Sequence, residues 1–155
     1  MKYLVAYYSR TGNTRQLAQQ IAEALSADID EIIDKKKRKG VSGWLSAGRD
    51  GTGKRDTEIT MKKNPLEYDV LVVGSPVWGS NLTPAIRKYL TTYSLQGKKV
   101  AFFATSDGDD QSEVFTQMKA LSSGADLLAT FGTAKKHLKD GSHEAGLKGF
   151  LASLK

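Results

Sequence analysis

The stretch YLVAYYSRTGNT, from Tyr3 to Thr14, contains a continuous apolar run that ends abruptly in small polar residues. A short unbroken run of this kind is typical of a strand buried on both faces of a sheet. A helical pattern follows directly, with one apolar stripe formed by Leu17, Ala18, Ile21, Ala22 and Leu25. The stretch therefore predicts a buried strand, a polar turn and an amphipathic helix, which is how a parallel α/β sheet begins.

The rest of the chain repeats this alternation of strand and helix. Four further strands are predicted at Ile29–Ile33, Val70–Gly74, Val100–Ala104 and Leu127–Thr133. Three further helical stripes are carried by Ile86, Tyr89 and Leu90, by Val114, Phe115, Met118 and Leu121, and by Leu147, Phe150, Leu151 and Leu154. Thr83 and Pro84 predict the start of the second helix, as N-cap and first helical residue. The predicted fold is a three-layer, doubly wound α/β structure with a five-stranded parallel sheet.

Composition limits the classes of protein that fit. The chain has 155 residues, of which 39% are hydrophobic, so one domain over residues 1–155 is expected. Because there is no cysteine, disulfides, thiolate metal sites and cysteine nucleophiles are excluded. No apolar run has the length of a membrane span, and the N-terminal residues lack a signal-peptide layout. We therefore expect a cytoplasmic protein without a transmembrane segment.

The segment from Asp34 to Thr60 breaks the alternation and is interpreted as an elaborated crossover. It contains the basic run Lys35 to Lys39, which contributes to a net charge of +6 and a pI of about 9.4. Such a run favours either a solvated loop or docking to an acidic protein, an anionic lipid surface or a nucleic acid. Because no stacking aromatic residues are interleaved with the run, nucleic acid is the least favoured partner.

In the same segment Gly48–Arg55 resembles a phosphate-binding P-loop at its glycines and lysine. It is not interpreted as one, because Arg55 occupies the position where a magnesium-binding hydroxyl is required.

In an open parallel sheet, ligands bind beyond the carboxyl ends of the strands. The loop after the first strand, SRTGNT, offers the hydroxyls of Ser9, Thr11 and Thr14, a flexible Gly12 and the amides of the following helix. These groups suit a phosphate, although an ordinary strand-to-helix turn capped by Asn13 or Thr14 is the alternative. Since no lysine follows at the position that a triphosphate requires, the loop indicates a monophosphate.

Two further loops are expected at the same edge of the sheet. GSPVWGSN, Gly74 to Asn81, carries Trp78, which either caps the core or stacks on a flat ligand ring. TSDGDDQS, Thr105 to Ser112, brings small polar residues and Gly108 within reach of the polar edge of a heterocycle. Its aspartates, Asp107, Asp109 and Asp110, are interpreted as turn and capping residues and not as a metal cluster.

The sequence resembles the flavodoxin family. SRTGNT is similar to the FMN-phosphate loop of that family, [ST]-x-T-G-x-T, and matches it at Ser9, Thr11, Gly12 and Thr14. VWGSNLTPAIRKYL looks like the loop and helix that follow the third strand in flavodoxins, and the resemblance covers nearly the whole chain outside Asp34–Thr60. It implies the strand order 2-1-3-4-5 and FMN as cofactor, with the flavin supplying the electron chemistry and the protein tuning it through stacking, hydrogen bonds and nearby charge.

The resemblance also implies which residues contact FMN. One group would hold the phosphate, a second would border the flavin ring with Trp78 on its face, and a third would contact the pyrimidine side. These groups are Ser9, Arg10, Thr11, Gly12, Asn13 and Thr14; Pro76, Val77, Trp78, Gly79, Ser80 and Asn81; and Thr105, Ser106, Asp107, Gly108 and Asp109. The peptide at Gly79 is the expected site of a reorientation upon reduction, because glycine tolerates either orientation.

Two departures from the family pattern are visible. Ser112 stands near the position where many flavodoxins carry a tyrosine over the second flavin face, and this chain is basic whereas flavodoxins are usually acidic.

Further residues with possible functional roles receive structural interpretations. His137 and His143 are interpreted as solvent-exposed residues without a metal or catalytic role, and Trp44 as an anchor for the crossover. Arg49 and Arg10 could aid phosphate or partner binding, with surface solvation as the default.

Three function classes follow. The first is an FMN-binding electron carrier that serves redox partner proteins, which would present an acidic docking surface. The alternative is an FMN-dependent oxidoreductase of the NAD(P)H:quinone type, in which the crossover would build part of the pocket or a subunit interface. The third is a flavin-free binding module, since a fold alone does not determine function.

Overall fold

The computed structural model describes residues 1–36 and 57–155. The strands are β1 (Tyr3–Tyr7), β2 (Asp28–Glu31), β3 (Ile33–Asp34), β4 (Ile59–Thr60), β5 (Val70–Trp78), β6 (Asn81–Leu82), β7 (Lys99–Ser106) and β8 (Asp126–Ala134). The helices are α1 (Asn13–Leu25), α2 (Pro84–Thr92), α3 (Ser112–Leu121), α4 (Lys135–Asp140) and α5 (Glu144–Ala152), with one 3-10 turn at Pro65–Glu67.

Five strands form a parallel sheet in the order β2-β1-β5-β7-β8. Counted along the chain these five strands give the order 2-1-3-4-5, so the predicted topology is confirmed. The short strand β6 is added to β5 in antiparallel direction. No helix within the described residues is long and apolar enough to cross a membrane.

The sheet separates two apolar layers, which makes the predicted three-layer architecture. One layer packs the sheet against α2 and α3 and includes the fully buried Ile86, Tyr89 and Met118. The other packs it against α1, α4 and α5 and includes Leu17 and Ile21, both without exposed surface. Burial of each such side chain contributes about 1.5–3 kcal/mol, so the predicted helical stripes stabilise the packing of their helices on the sheet.

The structure corrects several predicted boundaries. The third predicted strand does not end at Gly74 but continues to Trp78, and the second ends at Glu31 before the separate strand Ile33–Asp34. Lys135–Asp140 forms a short helix that no apolar stripe indicated. Thr83 precedes α2 as predicted, yet its side chain makes no cap, because its hydroxyl contacts that of Ser75 at 3.1 Å.

The two ends of the crossover lie side by side. β3 and β4 pair in antiparallel direction through Ile33–Thr60 and Asp34–Ile59. The buried carboxylate of Asp30 on β2 accepts hydrogen bonds from the backbone amides of Lys62 and Lys63, at 3.0 and 2.9 Å. These bonds fix the point where the chain returns to the sheet. Trp44, Arg49, the imitation P-loop and most of the basic run lie outside the described residues.

Candidate functional site

The turns after β1, β5 and β7 meet at the carboxyl edge of the sheet, where they surround a cavity of about 80 Å³. Ten of the residues predicted to contact a cofactor line this cavity: Arg10, Thr11, Asn13, Thr14, Pro76, Val77, Trp78, Thr105, Ser106 and Asp107. The structure therefore brings together members of all three predicted groups. A whole ligand pocket has typically about 300–1,000 Å³, so the cavity accommodates only part of a cofactor unless the side chains around it move.

The polar turn Ser9–Thr14 leaves backbone amides without a partner in the part of the chain that the structure describes. Gly12 adopts a positive φ of 104°, its amide donates to the Ser9 hydroxyl at 3.1 Å, and its carbonyl accepts from the amide of Gln16 at 3.0 Å. Gln16 is thus the first residue to bond back along α1, and no side chain caps the helix. The amides of Asn13, Thr14 and Arg15 remain available to an anion at the positive end of the helix dipole.

Two arginines near the polar turn have different surroundings. The Arg15 side chain pairs with Glu31 on β2, and this hydrogen bond is the main reason that its pKa is raised. Burial raises the pKa of the neighbouring Tyr7, which stays neutral. Arg10 instead places its guanidinium 5.9 Å from the centre of the Trp78 ring, and its buried Nε has no hydrogen-bond partner among residues 1–36 and 57–155. Arg10 therefore lines this cavity with one donor, Nε, that has no acceptor among the described residues.

A pair of hydroxyls joins the polar turn to β7. Oγ1 of Thr14 lies 2.8 Å from Oγ1 of Thr105, and both residues are buried at the cavity wall. One hydroxyl donates to the other, so one hydroxyl hydrogen of the pair remains to be donated elsewhere. The pair contributes a neutral donor beside the free amides of α1.

Trp78 lies inside the structure and not on a loop. It is the last residue of β5, only 8% exposed, and it belongs to the apolar layer under α2 and α3. The ring of Tyr8 meets it edge to face, with 5.5 Å between centroids. Stacking of a ligand on this ring requires the Arg10 side chain to move away from the ring. The two predicted roles of Trp78, capping the core and stacking on a ligand, therefore differ in the position of Arg10.

Gly79, Ser80 and Asn81 form a tight β-hairpin instead of an open loop. Trp78 pairs with Asn81, and the two residues between them both have positive φ, 54° at Gly79 and 64° at Ser80. Positive φ at both central positions defines a type I′ turn. This Gly79–Ser80 turn adjoins the cavity through Trp78 but does not line it.

The outer part of the loop after β7 is tied down within the protein. Gln111 donates to the Ser106 hydroxyl at 2.7 Å, and that hydroxyl donates to the Gly108 carbonyl. Asp109 pairs with Lys136 and His137 on α4, both at 3.1 Å, and these hydrogen bonds lower the pKa of its carboxyl. Gly108 and Asp109 therefore lie away from the cavity that Thr105, Ser106 and Asp107 line.

The sequence patterns did not indicate the role of Gln117 and led to a wrong prediction for His143. Gln117 on α3 contacts the hairpin, although its only signal in the sequence is a polar residue beside the apolar stripe of that helix. The prediction that both histidines are solvent-exposed is wrong for His143, which is 5% exposed. Its ring bonds to the His137 carbonyl and the Gln20 side chain, at 3.0 and 2.9 Å, and so supports the packing of α4 against α1.

Solved structures of flavoproteins and of a flavodoxin have the same fold as this chain. A flavoprotein from Lactobacillus acidophilus NCFM in complex with FMN is 22% identical, with a TM-score of 0.73 and coverage of 91% of this chain and 98% of that one. A candidate flavoprotein from Bacteroides eggerthii DSM 20697 is 26% identical, with a TM-score of 0.76 and coverage of 96% and 97%. Oxidised flavodoxin 2 from Bacillus cereus is 23% identical, with a TM-score of 0.59 and full coverage of both chains. No curated protein matches the sequence significantly.

Sheet order and cavity position together define a flavodoxin-like α/β protein with a polar cavity at the carboxyl edge of its sheet. The family model for flavodoxin matches residues 2–133, and the chain belongs to the flavodoxin family. FMN is the cofactor of that family.

Proposed function

We propose that this protein binds FMN at the carboxyl edge of its sheet and carries electrons between redox partner proteins. The observation that carries the proposal is the uncapped start of α1, where three backbone amides beside uncharged hydroxyls have no acceptor among residues 1–36 and 57–155. The FMN complex of the Lactobacillus acidophilus flavoprotein and the family match support the same cofactor. When bound, FMN supplies the electron chemistry, and the protein provides position and electrostatics.

The residues present fit such a cofactor. The amides of Asn13, Thr14 and Arg15 and the free hydroxyl hydrogen of the Thr14–Thr105 pair would donate to the phosphate. The orphaned Nε of Arg10 would gain an acceptor if the side chain turned toward that phosphate, which would also uncover the Trp78 ring. Ser106, which follows Thr105 on β7 and also lines the cavity, would then contact the polar edge of the ring system.

The phosphate assignment is tested by comparing FMN with riboflavin, which has the same ring and no phosphate. Titrations followed by flavin fluorescence should give a dissociation constant for riboflavin at least about 100-fold higher, because the amides and Arg10 would lose a charged acceptor. Equal affinity for the two flavins would contradict a phosphate site at α1. No binding of either flavin would favour a flavin-free module.

Electron carriage is tested by anaerobic reduction of the FMN-loaded protein. We expect dithionite to reduce the flavin in two resolved one-electron steps, and neither NADH nor NADPH to bleach its absorbance within the same time. Direct bleaching by a nicotinamide in a single two-electron step would indicate the oxidoreductase alternative instead.

A further inference from the structure

We infer that Gln117 is a positioning residue that holds the Gly79–Ser80 peptide in one of two accessible orientations. This inference rests on the proposed function only in its last step, where the turn is linked to the cofactor. The preceding steps concern contacts within the protein.

The Gly79–Ser80 turn adopts a conformation that its own sequence does not favour. Ser80 has a φ of 64°, and Ser26 is the only other described residue besides glycine with a positive φ. A Gly–Ser pair suits the type II′ turn, which needs positive φ at the first central residue alone. Types I′ and II′ differ chiefly by reversal of the peptide between the two central residues. A local preference for type II′ is therefore overridden in the structure.

A chain of amide groups accounts for this override. The backbone amide of Leu82 donates to Oε1 of Gln117 at 3.0 Å, Nε2 of Gln117 donates to Oδ1 of Asn81, and Nδ2 of Asn81 donates to the Gly79 carbonyl at 2.9 Å. We refer to this series as the amide chain. Gln117 is separated by 35 residues from Leu82 and by 36 residues from Asn81. The amide chain therefore connects α3 to a turn that is distant in sequence.

The direction of the amide chain is fixed at both ends. A backbone N–H can only donate and a carbonyl can only accept, so neither side-chain amide can rotate by 180° without opposing two donors or two acceptors. Gln117 is further held by Glu113, to which it donates at 3.1 Å, and by Arg87, from which it accepts at 3.4 Å. Reversing the Gly79–Ser80 peptide would remove the carbonyl from Nδ2 of Asn81 and leave that donor unpaired.

The position of the turn links it to the proposed cofactor site. The turn continues β5 directly after Pro76, Val77 and Trp78, which line the cavity. In the observed orientation the Gly79 carbonyl is bonded to Asn81, so reversal of the peptide would exchange the places of this carbonyl and the Ser80 amide. It would thereby change the hydrogen bonds that the turn offers to a flavin bound nearby. Gln117 does not itself line the cavity and would act only through Asn81.

The test uses Gln117→Met, which keeps the length of the side chain but cannot complete the amide chain, with Thr116→Ala on the exposed side of the same helix as control. In the ligand-free protein, NMR coupling constants should show that Ser80 changes to negative φ in Gln117→Met, and the Leu82 amide should exchange with solvent about tenfold faster. Thr116→Ala should change neither. Asn81→Ala removes the next link of the amide chain and should have the same effect on Ser80. Persistence of positive φ at Ser80 in Gln117→Met would overturn the inference.

A rescue variant distinguishes an effect on the orientation of the Gly79–Ser80 peptide from a general loss of order in the turn. Gly79→Asn combined with Ser80→Gly creates the pair that most favours a type I′ turn, so it should restore positive φ in the Gln117→Met background. For the loaded protein we expect Gln117→Met to raise the FMN dissociation constant about tenfold and to change the separation of the two one-electron potentials, and the rescue pair to reverse both.

The two proposals fail in different ways. If wild-type protein binds no FMN, the proposed function is contradicted, while the NMR measurement on the ligand-free protein still decides the role of Gln117. If FMN binds but its affinity and potentials are the same in Gln117→Met, the link between the amide chain and the cofactor is overturned and the FMN proposal stands.

Discussion

Gly12 gives the polar turn the backbone geometry that leaves the first amides of α1 free. Its φ of 104° turns its amide toward the Ser9 hydroxyl and its carbonyl toward the amide of Gln16. A residue with a Cβ adopts such a φ only with strain, although no atom of the neighbouring described residues lies within 4 Å of the place where the Cβ would stand. The requirement for glycine here comes from the backbone and not from crowding.

Gly12→Ala should therefore lower the free energy of unfolding by about 1–2 kcal/mol and raise the FMN dissociation constant at least about tenfold. Gly97→Ala is the matched control, because Gly97 has a φ of 74° and equally open surroundings but precedes β7 at the opposite edge of the sheet. Urea unfolding should give similar destabilisation for both variants. An equal loss of FMN affinity in both would mean that the polar turn has no special part in binding.

Contiguous residues could be predicted, whereas partners distant in sequence could not. Ser9, Gly12 and Thr14 follow one another within a short motif, so the pattern alone indicated an anion site. The contact of Thr14 with Thr105 spans 91 residues, and that of Asn81 with Gln117 spans 36. No local pattern encodes such contacts, because the register of the strands and the rotation of the helices decide them.

At the scale of elements, the apolar runs predicted the strands but not where β5 ends. Its pattern changes at Gly74, yet the backbone of Ser75 and Pro76 still pairs with β7, opposite Ala104 and Thr105. Pairing continues because the neighbouring strand is long enough to support it, which overrides the local signal. Trp78 is consequently delivered into the core at the end of a strand and not displayed on a loop.

The Tyr68 hydroxyl joins the start of β5 to β2 through a hydrogen bond to Oδ2 of Asp28, at 2.7 Å. This bond is the main reason that the pKa of Tyr68 is raised to about 12 from 10.0 and that the pKa of Asp28 is lowered from 3.8. The raised tyrosine pKa means that its contribution to stability is complete below pH 10 and is lost as the pH rises from 10 to 12. The lowered carboxyl pKa means that its contribution is present above pH 3.8 and is lost as the pH falls through the folded value.

Tyr68→Phe should therefore destabilise the protein at pH 7 but have a smaller effect at both pH 12 and pH 3, measured as free energies of urea unfolding. Tyr93→Phe is a suitable control, because its hydroxyl contacts the sulfur of Met61 at 3.4 Å and no carboxylate. A difference between wild type and Tyr68→Phe that is the same at all three pH values would contradict the coupling.

At the scale of the whole molecule, the net charge of +6 favours an acidic partner. Lys35 and Lys36 begin the basic run beside the crossover ends, and Lys35 lies 3.8 Å from Glu58, with both side chains largely exposed. An exposed pair of this kind contributes little to stability, so a stronger acidic partner could replace Glu58 at small cost. We propose this run as the docking surface for the redox partner.

Replacement of Lys35, Lys36, Lys37, Arg38 and Lys39 by glutamine should slow electron transfer to an acidic partner at least about threefold at low ionic strength and weaken its salt dependence. A control with the same change in charge replaces the exposed Lys88, Lys99, Lys119, Lys148 and Lys155. Stopped-flow rates that fall equally in both variants would indicate an effect of net charge and not of a docking surface.

The position of β1 between β2 and β5 has a consequence for the biosynthesis of the protein. β1 is made first, but one of its two neighbours, β5, comes only after the whole crossover has been translated. At about 5–20 residues per second, the apolar β1 waits on the order of several seconds for that neighbour. During this interval only β2 and α1 can pack against β1, so the edge of β1 that later pairs with β5 stays unpaired, and unpaired strand edges are prone to aggregation. A shorter crossover would shorten the time for which this edge is unpaired.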